Sequence, residues 1–417
     1  MSEPSVEGTA PPVGGAGPPV SLYVHFPFCV HRCHYCDFSV HRTQTPPLAE
    51  WLDSVEIEVD QWFALAGWSR PIELQTLFLG GGTPSLLGAD MSRLAEVLSR
   101  SFALGSDSME WTAESNPASL DEAVAKSWLE AGVNRLSIGV QSFDDDVLRW
   151  LGRLHDAAGA RRALAAARSA GFENLNADLI FGLPSSIERA WRDEVEAALE
   201  AGVTHVSTYG LTAEPRTSLG RRVKTGDVDM AGGKRYAGEY LAAVEALEEA
   251  GFVHYEVSNF ALPGHECLHN WHYWDGSPYL GLGPSAHSYV GGVRVWNVFR
   301  WAAYRRALAG GGSALEGHET PGAGESRLER LWLAFRTNRG IAAEDPLAES
   351  VVTHAGDLVE TWREAGWVVR DEFRVRFTAE GWLRLDELVT ALGCRMPAMT
   401  KESGLREGDG VRESYRA

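Results

Sequence analysis

The feature that most constrains this sequence is a repeated way of stopping helices. Four amphipathic stretches end in "AGV" or "AGF", at residues 131–133, 170–172, 201–203 and 250–252, and a short apolar run follows each. A glycine there suits the left-handed conformation that closes a helix, and the next residue opens a strand. Seven strand segments fit the pattern: "SLYVHF" from Ser21, "LQTLFL" from Leu74, "MEWTAE" from Met109, "RLSIGV" from Arg135, "NADLIF" from Asn176, "HVSTYGL" from His205 and "VHYEVSNF" from Val253. Strands that alternate with helices demand a parallel sheet with right-handed crossovers. Six or so such units predict an α/β fold, a partial or full (β/α) barrel rather than a flat doubly wound sheet.

Barrels of this kind build their chemistry at the C-terminal ends of the strands. Unusual residues recur at that end: Cys29 after the first strand, "GGGTP" at 80–84 after the second, Glu114 and "SNP" at the third, Gln141 after the fourth, and Asp178 in the fifth before "GLP". Any one alone reads as a cap or turn residue. Together they predict one shared pocket.

The first of these loops, "HFPFCVHRCHYCDF" at 25–38, holds three of the chain's five cysteines, spaced C-x3-C-x2-C at Cys29, Cys33 and Cys36. An odd, clustered set is not a secreted disulfide framework, so a reducing, cytoplasmic setting is expected. A redox pair would leave the third thiol unexplained. Structural zinc would need a fourth ligand, from His31, His34 or His41. Three thiolates on a four-iron cube would leave one iron open to an exchangeable molecule. The neighbouring "GGGTP" offers backbone that a ligand can approach closely.

The spacing, with Tyr35 before the last cysteine and the barrel context, resembles the radical S-adenosylmethionine (radical SAM) superfamily. That resemblance implies a [4Fe-4S] cluster whose open iron is chelated by S-adenosylmethionine. A reductant such as flavodoxin or ferredoxin would supply the electron that yields a 5′-deoxyadenosyl radical. "YVHFPFC", "LFLGGGTPSLL", "ESNP", "RLSIGVQSF", "LGRLH", "NADLIFGLP" and "HNWHYW" narrow it to the coproporphyrinogen III oxidase-like branch, over roughly residues 22–392. The branch implies that Tyr23, Tyr35, Gly81, Gly82, Thr83 and Glu114 line S-adenosylmethionine. Residues matching Gln141, Arg153 and Asp178 touch a second S-adenosylmethionine in the oxidase; here they could equally form a polar network across the barrel mouth.

The oxidase pattern carries a fourth cysteine where this chain has Phe38, and the block at His269, Asn270, Tyr273 and Trp274 satisfies "HNxxYW". Both features resemble the HemW-type haem chaperones. They imply a protein without coproporphyrinogen oxidase activity that binds haem and passes it to an acceptor, a respiratory and in some cases membrane-associated enzyme. The alternative is a radical SAM oxidase acting on tetrapyrrole propionates. "CLHNWHYWDG" at 267–276, followed by "GLGPSAHSY" with His287, offers Cys267, His269 and His272 as haem ligands beside its aromatic rings. His25, His31, His34 and His41 are further candidates. Equally, the block could be a packed loop that seals the barrel, with His269 hydrogen-bonded inside it.

Residues 1–20, rich in proline and glycine, are expected to be a disordered leader, with the barrel at 21–300 and a linker at 301–324. Residues 325–395 read as a winged-helix-like unit acting as a lid or partner-docking element, followed by a polar tail at 396–417. That unit mixes arginine with acidic residues. With a net charge of −19 and no basic stripe, nucleic acid is not an expected partner. No apolar run is long enough to span a membrane.

Overall fold

The computed structural model describes residues 10–106 and 108–396. Strands β1 (Ser21–Phe26), β2 (Thr76–Gly81), β3 (Glu110–Ser115), β4 (Arg135–Gln141), β5 (Asn174–Phe181) and β6 (His205–Gly210) lie side by side in sequence order, all parallel. Their register carries one apolar layer across the sheet: Val24 faces Leu79, Leu79 faces Ala113, Ala113 faces Leu136 and Leu136 faces Leu175. The glycines of the four "AGV" and "AGF" stops all have positive φ, between 71° at Gly202 and 110° at Gly171. Helix starts are fixed as firmly: Asp121 and Asp156 accept hydrogen bonds from Val124 N and Gly159 N in the first turns that follow them.

The parallel set does not close on itself. Beyond β6 the sheet continues into an antiparallel hairpin, β7 (Val253–Glu256) and β8 (Asn259–Ala261). On the other side β1 pairs in parallel with β9 (Tyr279–Leu282), which leads into antiparallel β10 (His287–Val290), β11 (Val293–Asn297) and β12 (Leu315–Glu319). Among the described residues these twelve strands form one open sheet, so the barrel is partial.

Two expected boundaries differ from the structure. Residues 10–20 are anchored rather than a loose leader: Val13 is buried, Gly15 N donates to Ala66 O at 3.1 Å, and Trp68 Nε1 donates to Ala16 O at 2.9 Å. Apolar Val13 and Ala16 hold this segment although its composition reads as flexible; residues 1–9 lie outside the described residues. The expected linker at 301–324 instead contains helix Trp301–Ala309, with Tyr304 fully buried, and then β12. The tail beyond 396 also lies outside the described residues.

The C-terminal unit combines helices Ala323–Phe335, Pro346–Glu364 and Leu385–Arg395 with a small antiparallel sheet made from Ile341–Ala342, Val368–Arg370 and Arg374–Phe377. It docks against the β7 hairpin and a short helix, Leu268–Trp274. Val257 N donates to Arg336 O at 2.9 Å, Asn338 N to Tyr255 O at 3.0 Å, and the Arg339 guanidinium lies 3.7 Å over the Trp271 ring. That helix is tied to the first residues of β1, β2 and β3, the end of the barrel away from the cysteine loop. Among the described residues no helix is long and apolar enough to cross a membrane.

Candidate functional site

Strand β1 delivers the chain into the cysteine loop, and β2 delivers "GGGTP" beside it. The two loops touch through backbone: Gly82 N donates to Phe26 O at 2.7 Å. Glycine is required here, because a Cβ on Gly82 would sit 2.6 Å from Phe28 O and one on Gly81 would sit 2.6 Å from the His25 ring. Thr83 Oγ1 then donates to Cys29 Sγ at 3.3 Å. Cys29 is buried, while Cys33 and Cys36 are partly exposed and all three are free thiols. Burial pushes the Cys36 thiol up to about 11 and raises Cys29 as well.

Arg153 approaches from the loop after helix Asp145–Leu151. Its Nη1 lies 3.7 Å from Cys33 Sγ, its Nη2 donates to Gly139 O at 2.8 Å, and it hydrogen-bonds Tyr35. The guanidinium is deeply buried, its Nε lacks a partner, and no carboxylate pairs with it among the described residues. A buried cation with only thiols and a phenol for company suits an anionic group. Gln141 holds φ at +67° where the β4–β5 register shifts, which turns its side chain over Gly139 next to Arg153. Sequence-distant Tyr35, Gln141 and Arg153 are thus gathered at one edge of the cysteines.

On the other side Glu114 Oε2 accepts from Gly81 N at 3.0 Å and has no cationic partner among the described residues. Burial, with Asp178 nearby, pushes its carboxyl up to about 8. Asp178 is held by Ser137 and by Asn176 Nδ2 at 2.7 Å, and burial raises it too. Tyr23 OH bonds His25 Nδ1 at 3.0 Å and His25 Nε2 bonds Ser39 O at 2.9 Å, so the ring is neutral with its pKa lowered to about 4 by burial. Above these groups opens a cavity of about 510 Å³, lined among others by Tyr23, Glu114, Tyr273, Tyr279 and His287. Phe38 and Phe299 form its lip, 59% and 44% exposed.

The "HNxxYW" block divides. Cys267 and His269 are core residues: Cys267 Sγ donates to Glu110 Oε1 at 3.5 Å, and burial pushes its thiol up to about 12. His269 uses both ring nitrogens, on Thr76 Oγ1 at 2.8 Å and Tyr273 OH at 3.0 Å. Neither is presented to the cavity, which corrects the expectation of haem ligands there; the packed-loop alternative describes them. His272 bonds Ser21 Oγ at 2.6 Å, at the start of β1. Only Tyr273 of the block reaches the cavity wall. Among the described residues the C-terminal unit contributes nothing to that wall.

The fold also assembles a basic surface that no single stretch of sequence displays. Helix Ser218–Lys224 packs Leu219 and Val223 beside Tyr35 and Trp150, and Leu219 N donates to His34 O at 2.9 Å. Its outer face carries Arg221, Arg222 and Lys224, and the cysteine loop on which it packs carries Arg32; all four are exposed and, among the described residues, form no ion pair. Exposed acids nearby are Asp37 and Asp227.

Residues 23–198 match the Radical SAM superfamily. The fold is similar to the solved structure "Coproporphyrinogen III oxidase (HemN) from Escherichia coli is a Radical SAM enzyme", with a TM-score of 0.76 over 90% of each chain at 24% identity. Fold and cysteine loop together define a radical SAM protein. The chain is 34% identical to "Heme chaperone HemW" of Bacillus subtilis over 89% of this chain and 98% of that one. It is 37% identical to "Heme chaperone HemW" of Mycobacterium tuberculosis, over 83% and 92% of the two chains. The chain belongs to the HemW family.

Proposed function

We propose that this protein is a haem chaperone: it holds a [4Fe-4S] cluster on Cys29, Cys33 and Cys36 with S-adenosylmethionine beside it, binds haem, and passes it to an acceptor, a respiratory enzyme. The observation that carries the reading is the cavity, where the loop with Phe38 in place of a fourth cysteine meets the aromatic wall from Tyr273 and Tyr279.

The donor sets fit the groups proposed for them. Among the described residues no three His, Cys, Asp or Glu side chains stand close enough to chelate one metal ion, so the thiols do not form a ready-made zinc site. Three thiols that do not converge on one ion suit the separate irons of a cube, with Arg153 balancing their charge. When bound, the cluster supplies an electron to S-adenosylmethionine. Gly81 and Gly82 give that molecule backbone access, and the unpaired carboxyl of Glu114 suits its ammonium, which would draw the carboxyl back to its charged form. Tyr23, Tyr35 and Thr83 frame the same space, while Gln141, Arg153 and Asp178 would meet a second S-adenosylmethionine or tie the barrel mouth together.

The basic face of Arg32, Arg221, Arg222 and Lys224 supports docking of an acidic electron donor of the flavodoxin or ferredoxin type on an otherwise acidic protein. A cytoplasmic protein that meets its acceptor at a membrane agrees with the reducing setting the thiols need. The second reading, a radical SAM oxidase acting on a tetrapyrrole propionate, is favoured by the completeness of the S-adenosylmethionine pocket. Anaerobic reconstitution followed by assay with coproporphyrinogen separates the two. The chaperone reading expects four irons and sulfides per chain, and haem binding without protoporphyrinogen; protoporphyrinogen formed at a catalytic rate overturns it.

A further inference from the structure

We infer that His287 is the axial ligand to haem in this cavity, an assignment that rests on the haem-binding reading above. Among the described residues the cavity wall contains two histidines, His25 and His287. His25 is spent on Tyr23 and Ser39, and its ring is needed there because it packs against the Gly81 backbone. Among the described residues the His287 side chain makes no hydrogen bond; its ring lies beside Trp296 with centroids 6.2 Å apart and planes 29° apart, and the residue is exposed at the cavity wall. Burial lowers its pKa, which favours the neutral imidazole that iron needs. The lip residues Phe38 and Phe299, with Tyr279, supply the flat apolar surface a macrocycle requires.

The segment before His287 is built to hold it still. Gly283 N donates to Glu58 Oε2 at 2.8 Å, Asn297 Nδ2 donates to Gly283 O at 2.8 Å, and Tyr304 OH and Asn297 both donate to the same buried carboxyl. Ser285 is held at φ +64°, and Ser288 Oγ accepts from Gly281 N at 2.9 Å. This network fixes the backbone on both sides of His287, as a ligand position requires. Neither the cysteine loop nor the S-adenosylmethionine pocket uses it.

The test is haem titration of the cluster-reconstituted full chain as wild type, His287→Ala and His272→Gln, followed at the Soret band, with iron content and far-UV circular dichroism as folding checks. The inference expects His287→Ala to bind haem at least about tenfold more weakly and to lose the histidine-ligated spectrum. It expects free imidazole to restore that spectrum, and His272→Gln to match wild type. Wild-type affinity and spectrum in His287→Ala, or loss of the band in His272→Gln, overturns the assignment while leaving haem binding intact. No band in wild type overturns the chaperone reading itself.

Discussion

Substituting Gly82 by alanine tests whether the "GGGTP" and cysteine loops must touch. The new Cβ would lie 2.6 Å from Phe28 O and 3.0 Å from Phe26 O. Both obstacles are backbone, of β1 and of the residue before Cys29, so no side chain can swing aside. Relief requires the loops to separate, which also stretches the 2.7 Å bond from Gly82 N to Phe26 O. Overpacking of this kind costs about 1–3 kcal/mol and a weakened hydrogen bond about 1 more, so about 2–4 kcal/mol is expected. Gly88→Ala is the control: its Cβ meets nothing within 4 Å and only its backbone, at φ +53° and ψ −130°, opposes it, at about 1–3 kcal/mol. Urea denaturation of the apo chains gives the energies, and iron and sulfide content after reconstitution reports the site. Gly82→Ala is expected to load substantially less cluster than Gly88→Ala. Equal loading and equal stability in the two variants would refute the contact argument.

Three further outcomes are expected. Cys33→Ala should lose the cluster's iron while keeping the far-UV circular dichroism of wild type, since the loop caps the barrel and contributes little to its core; collapse of the spectrum would count against this. Reversing Arg221, Arg222 and Lys224 to glutamate should weaken binding of oxidised flavodoxin by about tenfold at low salt, with the difference shrinking as salt screens it; unchanged affinity by calorimetry would remove the docking face. Burial holds Glu58 protonated up to about pH 7, against an ordinary 4.5. The native state therefore binds the extra proton between those values, so its contribution to stability falls as pH rises from about 4.5 to 7, by up to about 3 kcal/mol. Glu58→Gln should flatten that part of the stability profile, and an unchanged slope in urea titrations across it would exclude the assignment.

The parallel strands were legible because their apolar runs are bounded by glycines that must take positive φ, a local requirement. The additions beside β1 were not: β9 to β12 are short and stabilised by pairing with β1 and with one another, contacts distant in sequence. The same applies to residues 10–20, whose order comes from Val13 and Ala16 resting on the core. At the site, Cys29, Cys33, Cys36, Gly81, Thr83 and Glu114 stood out through spacing and strand position, and the structure gathers them. Cys267 and His269 misled because residue type says nothing about burial, and here a buried helix consumes their polar atoms. The basic face stayed hidden because Arg32 is far in sequence from Arg221, Arg222 and Lys224, and only the packing of Leu219 on the cysteine loop brings that helix to the loop.

The account stands most directly on one measurement: titration of haem into the anaerobically reconstituted full-length protein, followed at the Soret band. A saturable band at one haem per chain, with the cluster absorbance retained, is the predicted result. Absorbance that rises without saturation, or haem that appears only as the cluster is lost, would contradict it.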